Sequence, residues 1–369
     1  MKCELSVDLG ERSYPIFFRP DGQAELAERI IASAKTGRVV IITDKTVGPL
    51  YAQSLVDELR GRGLRVALLD FPPGESHKNL DTVRRVYESC LQFGVDRETP
   101  IIGYGGGVVG DLAGFVAATL LRGLPFIQIP TTILAQVDSS VGGKVGVNLA
   151  QGKNLIGAFH QPQWVFIDPT CIATLNVEER RSGLAEAVKH GALASDELLG
   201  TIIENADELL SSGTTSLMKV LPKAVSIKAE IVSKDEEERG VRAVLNLGHT
   251  LGHAFEADCG YRGLRHGEAI ALGMRAMLEL SRVRLGLPLR AEERISKALD
   301  ALDLPKAWSE RVTLSALDRV DLDKKNLGTC VRVVLLRDIA DPVIVQIPRD
   351  EFKKQIRTLA SANSSPEVV

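Results

Sequence analysis

The chain has 369 residues, 44% of them hydrophobic and 25% charged, which is enough apolar material for a large core and, at this length, for two domains. A net charge of −3 supplies no basic field for nucleic acid, and no run approaches the roughly 18 apolar residues that span a bilayer, so polynucleotide and membrane partners are excluded. The five cysteines (Cys3, Cys90, Cys171, Cys259, Cys330) are scattered and form no CxxC pair; with no apolar leader in MKCELSVDLG, they argue against a disulfide framework and for a cytoplasmic protein.

In chain order, VVIITD (39–44) reads as a buried strand and is followed by a helical pattern over 47–59. VALLDF (66–71) precedes a helix over 80–92, and TPIIGYGGG precedes a helix from Gly110. PFIQIPTT and WVFID complete the alternation. Repeated β-then-α units predict a Rossmann-like parallel sheet with helices on its faces, and such sheets take ligands at the carboxyl ends of their strands. Those ends are polar and glycine-rich here: Asp44, PPGESHK (72–78), GGGVVGD (105–111), and Pro130 with Thr131 and Thr132. Near Asp168 the pattern changes to successive helices over 178–193, 196–211, 215–235, 243–257, 267–285 and 291–303. VRVVLLR and PVIVQIP then read as a small hairpin, with a last helix over 349–359 and a disordered tail, SANSSPEVV. The expected architecture is an α/β nucleotide-binding domain over 1–175 and a helical metal-binding domain over 176–369, with a site in the cleft between them.

Gly105, Gly107 and Gly110 satisfy GxGxxG between a strand and a helix, where backbone N–H groups can approach a pyrophosphate. A tight strand-to-helix turn with no ligand has the same spelling. Glu75 and Lys78 on the preceding strand-end loop could supply a ribose and a phosphate contact. Residues 138–154, DSSVGGKVGVNLAQGKN, carry Asp138, Lys144, Lys153 and Asn154 in a segment too rich in Gly and Ser for core; it reads as an anion-binding loop or as a solvated linker. In SGLAEAVKHG, Glu186 and Lys189 are three apart on one face of an apolar helix, so the carboxylate needs a partner, either Lys189 or a metal.

Three of the six histidines fall within eighteen positions. His249 and His253 are four apart and share a helix face, and His266 opens the next helical segment. Arg242, Asn246, His249 and His253 step by four, three and four along one stripe, with Lys228 and Glu238 upstream. Zinc proteases of the HExxH type need Glu after the first His, where this chain has Thr250. Two imidazoles and one carboxylate leave a coordination position open, the pattern of a catalytic metal site.

GGGVVGDLAGFVAATLLRG, IPTTILAQVDSSVGGKVGVN, GKNLIGAFHQP, SGLAEAVKHG, LNLGHTLGHAFE, HGEAIALGM and DKKN together resemble the 3-dehydroquinate synthase family of sugar phosphate cyclases, in that family's order and over nearly the whole chain. The resemblance implies NAD, a divalent metal (zinc or cobalt), a homodimer, and conversion of 3-deoxy-D-arabino-heptulosonate 7-phosphate to 3-dehydroquinate and phosphate. It further implies that Glu186, His249 and His266 ligate the metal, and that His253 is a group beside it that either supports the ligands or handles protons. Asp138, Lys144, Lys153, Asn154, Lys189, Lys228, Glu238, Arg242, Asn246 and Lys324 are then expected around the substrate, with Arg122 at a position that can reach it from the partner subunit. The implied NAD contacts are Asp44, Pro73, Gly74, Glu75, Ser76, His77, Lys78, Gly107, Val108, Val109, Gly110, Asp111, Thr131, Thr132, Lys144, Lys153, Cys171, Ile172, Ala173 and Thr174. Arg265 stands where leucine is common in the family, and Val145 where threonine is usual. A cyclase acting on another sugar phosphate, a metal-dependent polyol dehydrogenase and a non-catalytic metabolite binder are the competing readings. Glu238, Arg242 and the DKKN turn favour the carboxylate-bearing substrate, the DSSVGGK and GKN loops speak against the dehydrogenase, and the filled polar positions speak against a mere binder.

Overall fold

A computed structural model describes residues 3–260, 263–320 and 329–364. The chain divides into two compact units, Met1–Leu175 and Asn176–Val369.

The first unit is built on a seven-stranded sheet. Its elements run β1 (Cys3–Val7), β2 (Tyr14–Phe18), α1 (Gln23–Ser33), β3 (Arg38–Asp44), α2 (Gln53–Gly61), β4 (Arg65–Phe71), α3 (Leu80–Phe93), β5 (Ile101–Gly105), α4 (Gly107–Thr119), β6 (Phe126–Pro130), β7 (Lys144–Leu149), β8 (Gly152–Phe159) and β9 (Trp164–Ile167). The spatial order is β1-β2-β9-β6-β5-β3-β4. Every neighbouring pair is parallel except β1 with β2. The period-2 alternation of β3 explains why helices cover both faces. Val39 and Ile41 pack with Leu26, Ile30, Leu55 and Leu59 of α1 and α2, whereas Val40 and Ile42 pack with Val83, Val86, Leu112 and Val116 of α3 and α4.

Strand β3 has β4 on one side and β5 on the other, so the chain reverses its direction of travel there. The ends of β3 and β5, at Asp44 and Gly105, therefore flank the topological switch point, the crevice where open α/β sheets take ligands. Helix α4 begins at Gly107, three residues before the expected start. None of Gly105, Gly107 and Gly110 has a positive φ. Their smallness serves close packing instead: a Cβ on Gly105 would lie 2.7 Å from Val109, and one on Gly110 2.6 Å from Gln128.

The segment over 138–154 departs from the expected loop. Its first residues finish a helical turn, Ala135–Ser139, and the rest forms the antiparallel hairpin β7–β8, with Lys144 opposite Phe159 and Val147 opposite Ile156. Val145 and Val147 alternate onto the face that packs against α4, and this burial outweighs the glycine content.

Among the described residues the second unit is helical apart from one hairpin. It comprises α5 (Val177–Ala194), α6 (Asp196–Glu204), α7 (Ala206–Leu210), α8 (Thr214–Lys234), α9 (His249–Asp258), α10 (His266–Leu285), α11 (Leu289–Ala301), α12 (Leu314–Arg319), the pair β10 (Cys330–Asp338) and β11 (Asp341–Pro348), and α13 (Arg349–Ser364). The single helix expected over 196–211 is two, broken at Asn205, whose side chain donates to the Thr201 carbonyl at 2.7 Å. The last helix runs five residues beyond expectation. Asn363, assigned to the tail by its composition, is held by hydrogen bonds of 2.7 and 3.0 Å to Glu279. No helix among the described residues is long and apolar enough to cross a membrane.

Candidate active site

In the first unit the polar residues of the switch point form a cluster in which one ammonium stands between two carboxylates. Lys78, only 4% exposed, places its Nζ 2.9 Å from Asp111 Oδ2 on α4 and 3.3 Å from Glu75 Oε1. Burial opposes the ammonium charge, but the two carboxylates outweigh it and raise the pKa of Lys78. For Glu75, burial is likewise overcome by the Lys78 charge and by a 2.8 Å hydrogen bond from Asn148 Nδ2, so its carboxyl lies below the ordinary value. Asp111 is pushed up by burial. Asn148 on β7 was not foreseen, and it joins two loops. Its side chain donates to Glu75, its N–H donates to the Lys78 carbonyl at 2.8 Å, and its Oδ1 accepts from the N–H of Asn154 at 2.8 Å.

The other expected nucleotide contacts lie at the same strand ends. Pro73, Gly74, Ser76 and His77 share the loop of Glu75 and Lys78, where Gly74 has φ 106. Val108 and Val109 lie in the first turn of α4; the side chain of Val109 is fully buried in the core. The N-cap of α4, Gly106, makes no side-chain cap bond. Thr131 follows β6, and Thr132 Oγ1 accepts from the N–H of Ala135 at 3.1 Å. Asp44 Oδ1 accepts from the N–H groups of Thr46 and Val47 and so caps the turn after β3. Cys171, Ile172, Ala173 and Thr174 form the 3-10 turn Pro169–Thr174. Tyr51 Oη reaches the Cys171 carbonyl at 3.0 Å and Thr174 Oγ1 at 2.6 Å, and its ring stacks on Tyr104 at 6.5 Å. Lys144 is exposed at the start of β7, Lys153 and Asn154 lie near the start of β8, and Asp138 lies in the turn Ala135–Ser139. Arg122 is exposed in a turn where Leu121 and Arg122 both have positive φ, 50 and 69.

In the second unit, α5 is buried on all sides from Ser182 to Leu193. It starts cleanly because Asn176 Oδ1 accepts from the Glu179 N–H at 2.8 Å. Glu186 and Lys189 sit within that buried stretch, 0% and 1% exposed, and form an ion pair through Glu186 Oε2. Glu186 Oε1 has no hydrogen-bond partner among the described residues. Facing it are His266 Nε2 at 3.4 Å and His249 Nε2 at 3.7 Å. The three groups belong to three helices, and glycines let these helices approach closely enough. A Cβ on Gly267 would lie 1.9 Å from the Ser182 carbonyl oxygen, so only glycine lets the start of α10 rest on α5. Gly248, with φ +80, ends the short 3-10 segment Val241–Asn246 just before α9. A Cβ there would meet Ile270 O and Met274 N of α10 at 2.8 Å. The stripe expected on one helix, Arg242 to His253, is thus split in two.

This donor set fits a divalent metal. Two ligands each about 2.1 Å from a tetrahedral zinc stand about 3.4 Å apart, close to the separations of 3.4 and 3.7 Å around Glu186 Oε1. The tautomers also fit. His249 Nδ1 lies 3.2 Å from the Leu247 carbonyl, and His266 Nδ1 lies 3.2 Å from Glu256 Oε2, which leaves both Nε2 atoms for ligation. Burial lowers the pKa of His266, but the carboxylates of Glu186 and Glu256 outweigh it and hold it up at about 9. Burial likewise raises the carboxyl of Glu186, yet Lys189 and then the two imidazoles hold it well below the ordinary range. His253 lies beside the set, with ring centroids 5.1 Å from His249 and 6.0 Å from His266.

Lys228 on α8 and Arg242 are buried cations of the same unit. Arg242 is held by its N–H to Asp235 Oδ2 at 2.9 Å and by its guanidinium to the Glu236 carbonyl. Asn246 Nδ2 donates to Glu238 Oε1 at 2.6 Å, Glu238 having φ 59. Lys324, with the rest of DKKN, lies outside the described residues. Glu256 was not expected at this site, although its spacing of seven from His249 and three from His253 puts it on their face of α9.

Comparison with known proteins gives the class first. The fold matches a 2-deoxy-scyllo-inosose synthase complexed with carbaglucose-6-phosphate, NAD+ and Co2+, with TM-score 0.84 and 25% identity over 96% of this chain and 100% of that one. It also matches 2-epi-5-epi-valiolone synthase from Streptomyces hygroscopicus subsp. jinggangensis, with NAD+ and Zn2+ bound, at TM-score 0.83 and 28% identity over 97% and 99%. Both are sugar phosphate cyclases. The models for the 3-dehydroquinate synthase N-terminal and C-terminal regions match residues 68–182 and 183–326. The 3-dehydroquinate synthase of Thermoanaerobacter pseudethanolicus is 41% identical over 96% of this chain and 99% of its own length. The chain belongs to the 3-dehydroquinate synthase family.

Proposed function

We propose that this chain converts 3-deoxy-D-arabino-heptulosonate 7-phosphate to 3-dehydroquinate and phosphate, as a cytoplasmic homodimer using NAD and one divalent metal. The observation that carries the reading is the buried Glu186 carboxylate, with an oxygen lacking a hydrogen-bond partner and two imidazole Nε2 atoms converging on it. Glu186, His249 and His266 would hold the metal, and the strand-end residues of the first unit would hold the nucleotide. When bound, the metal supplies Lewis acidity and NAD supplies a hydride acceptor that is restored within each turnover.

The chain's own residues do the rest. Lys144, Lys153, Lys228 and Arg242 bind and orient a substrate bearing a carboxylate and a phosphate through charge-assisted hydrogen bonds, with Asn154, Asn246 and Lys324 on its hydroxyls. Asp138, Lys189, Glu238 and His253 are the groups we assign to holding or moving protons, and Arg122 would complete the site of the partner subunit. NAD, when bound, would supply the reversible oxidation of one hydroxyl, and a ketone there would acidify the neighbouring C–H and allow phosphate to leave before an aldol closure.

With sub-stoichiometric NAD the protein should release phosphate over many turnovers while absorbance from free NADH stays flat. NADH accumulating in proportion to product would move the chain to the dehydrogenase class.

A further inference from the structure

We propose that Glu256 is a positioning residue for the metal centre: its carboxylate fixes the ring orientation and tautomer of His266 so that Nε2 is aimed at the metal. The inference rests on the reading of Glu186, His249 and His266 as the ligands.

Glu256 is 5% exposed, and a carboxylate taken that far from water needs hydrogen-bond donors. Its Oε2 lies 3.2 Å from His266 Nδ1, while the other nitrogen of the same ring lies 3.4 Å from Glu186 Oε1. An ionised carboxylate only accepts, so Glu256 keeps a hydrogen on Nδ1, and Nε2 is the nitrogen whose proton a metal would displace. His249 achieves the same tautomer through the backbone carbonyl of Leu247, so the two imidazoles are aimed by different devices, of which only the Glu256 device is a side chain. Glu256, His253 and His266 also lie close enough to form a ligand set of their own. That set would require Nδ1 of His266, the nitrogen facing away from Glu186. The buried, otherwise unbonded Oε1 of Glu186 favours the Nε2 side.

The test uses the full-length protein, stripped with a chelator and titrated with Co2+, comparing wild type with Glu256→Gln, Glu256→Ala and His266→Ala. We expect Glu256→Gln to keep its circular dichroism and bind Co2+ about tenfold more weakly, and Glu256→Ala to bind up to about a hundredfold more weakly. The visible Co2+ spectrum should shift in both, with NAD affinity unchanged. Wild-type affinity and an unshifted spectrum in both Glu256 variants would overturn the proposal. So would complete loss of metal in the folded Glu256→Gln protein, equal to that of His266→Ala, because it would make Glu256 a ligand. If Glu256→Ala fails to fold, the near-isosteric Gln variant carries the test. A wild-type protein that binds no stoichiometric Co2+ would instead overturn the metal-centre reading on which the proposal stands.

Discussion

The two polar centres of this chain solve the problem of buried charge in opposite ways. At the switch point of the first unit, Lys78 is shared by the carboxylates of Glu75 and Asp111, and Asn148 donates a further hydrogen bond to Glu75. In the second unit, Lys189 pairs with only one oxygen of Glu186, and the other is left to two imidazoles just beyond good hydrogen-bond distance. A cluster whose carboxylates are already paired presents a finished surface to a ligand. A carboxylate set between two imidazoles is a ligand set completed by a cation. The contrast predicts that the first centre tolerates single substitutions that the second does not.

The largest effect should come from the second centre. Glu186→Ala, His249→Ala and His266→Ala should each abolish metal binding and turnover, and full metal occupancy in any one, read by elemental analysis, would remove that residue as a ligand. Next is Gly267→Ala, whose Cβ would be driven to 1.9 Å from a backbone oxygen of α5. It should cost about 3 kcal/mol or more in denaturant unfolding, because backbone cannot step aside as a side-chain tip can. Lys153→Ala and Arg242→Ala should each lose at least about 1.5 kcal/mol of transition-state stabilisation, roughly tenfold in kcat/KM. Wild-type efficiency in both would misplace the anion site.

The smallest effect belongs to the Lys78 cluster. The carboxyl of Glu75 lies below its ordinary 4.5 in the folded chain, so its contribution to stability is complete above pH 4.5 and is lost as pH falls through the folded value. Lys78 is raised above 10.5, so its contribution is complete below that pH and fades only as pH climbs through the raised value. The Glu75 side chain is 39% exposed, so Glu75→Gln should cost no more than about 1 kcal/mol at pH 7. That difference should shrink below pH 4.5; a difference that persists there would mean that Glu75 acts through packing, not charge.

Much of this contrast is legible in the sequence. The crowding of His249, His253 and His266 and the lone carboxylate of SGLAEAVKHG announce the second centre, and the alternation of short β-branched runs with helices announces the sheet. The failures arise where tertiary contact decides. The helix expected over 243–257 breaks at Gly248 because α10 lies against it, a fact about residues 270 and 274 that no local window contains. The hairpin β7–β8 forms because Val145 and Val147 find α4. Asn148 acquires its role only when β7 is laid beside the loop of Glu75. Glu256 was within reach of spacing alone, since 249, 253 and 256 share one helix face.

The sheet order also sets a timetable for the newborn chain. Strand β2, made within the first twenty residues, has two neighbours, and while β1 is already at hand, the other, β9, pairs Ile16 with Val165 and Phe18 with Ile167. At about 5–20 residues per second, synthesis leaves that edge of β2 without its partner for roughly 8–30 s. Through that interval a ribbon in which Ile16, Phe17 and Phe18 pair with Leu5, Glu4 and Cys3 must wait beside a growing sheet whose inner strands can already pair among themselves. The second edge of β2 can therefore be completed only after β9 has been made.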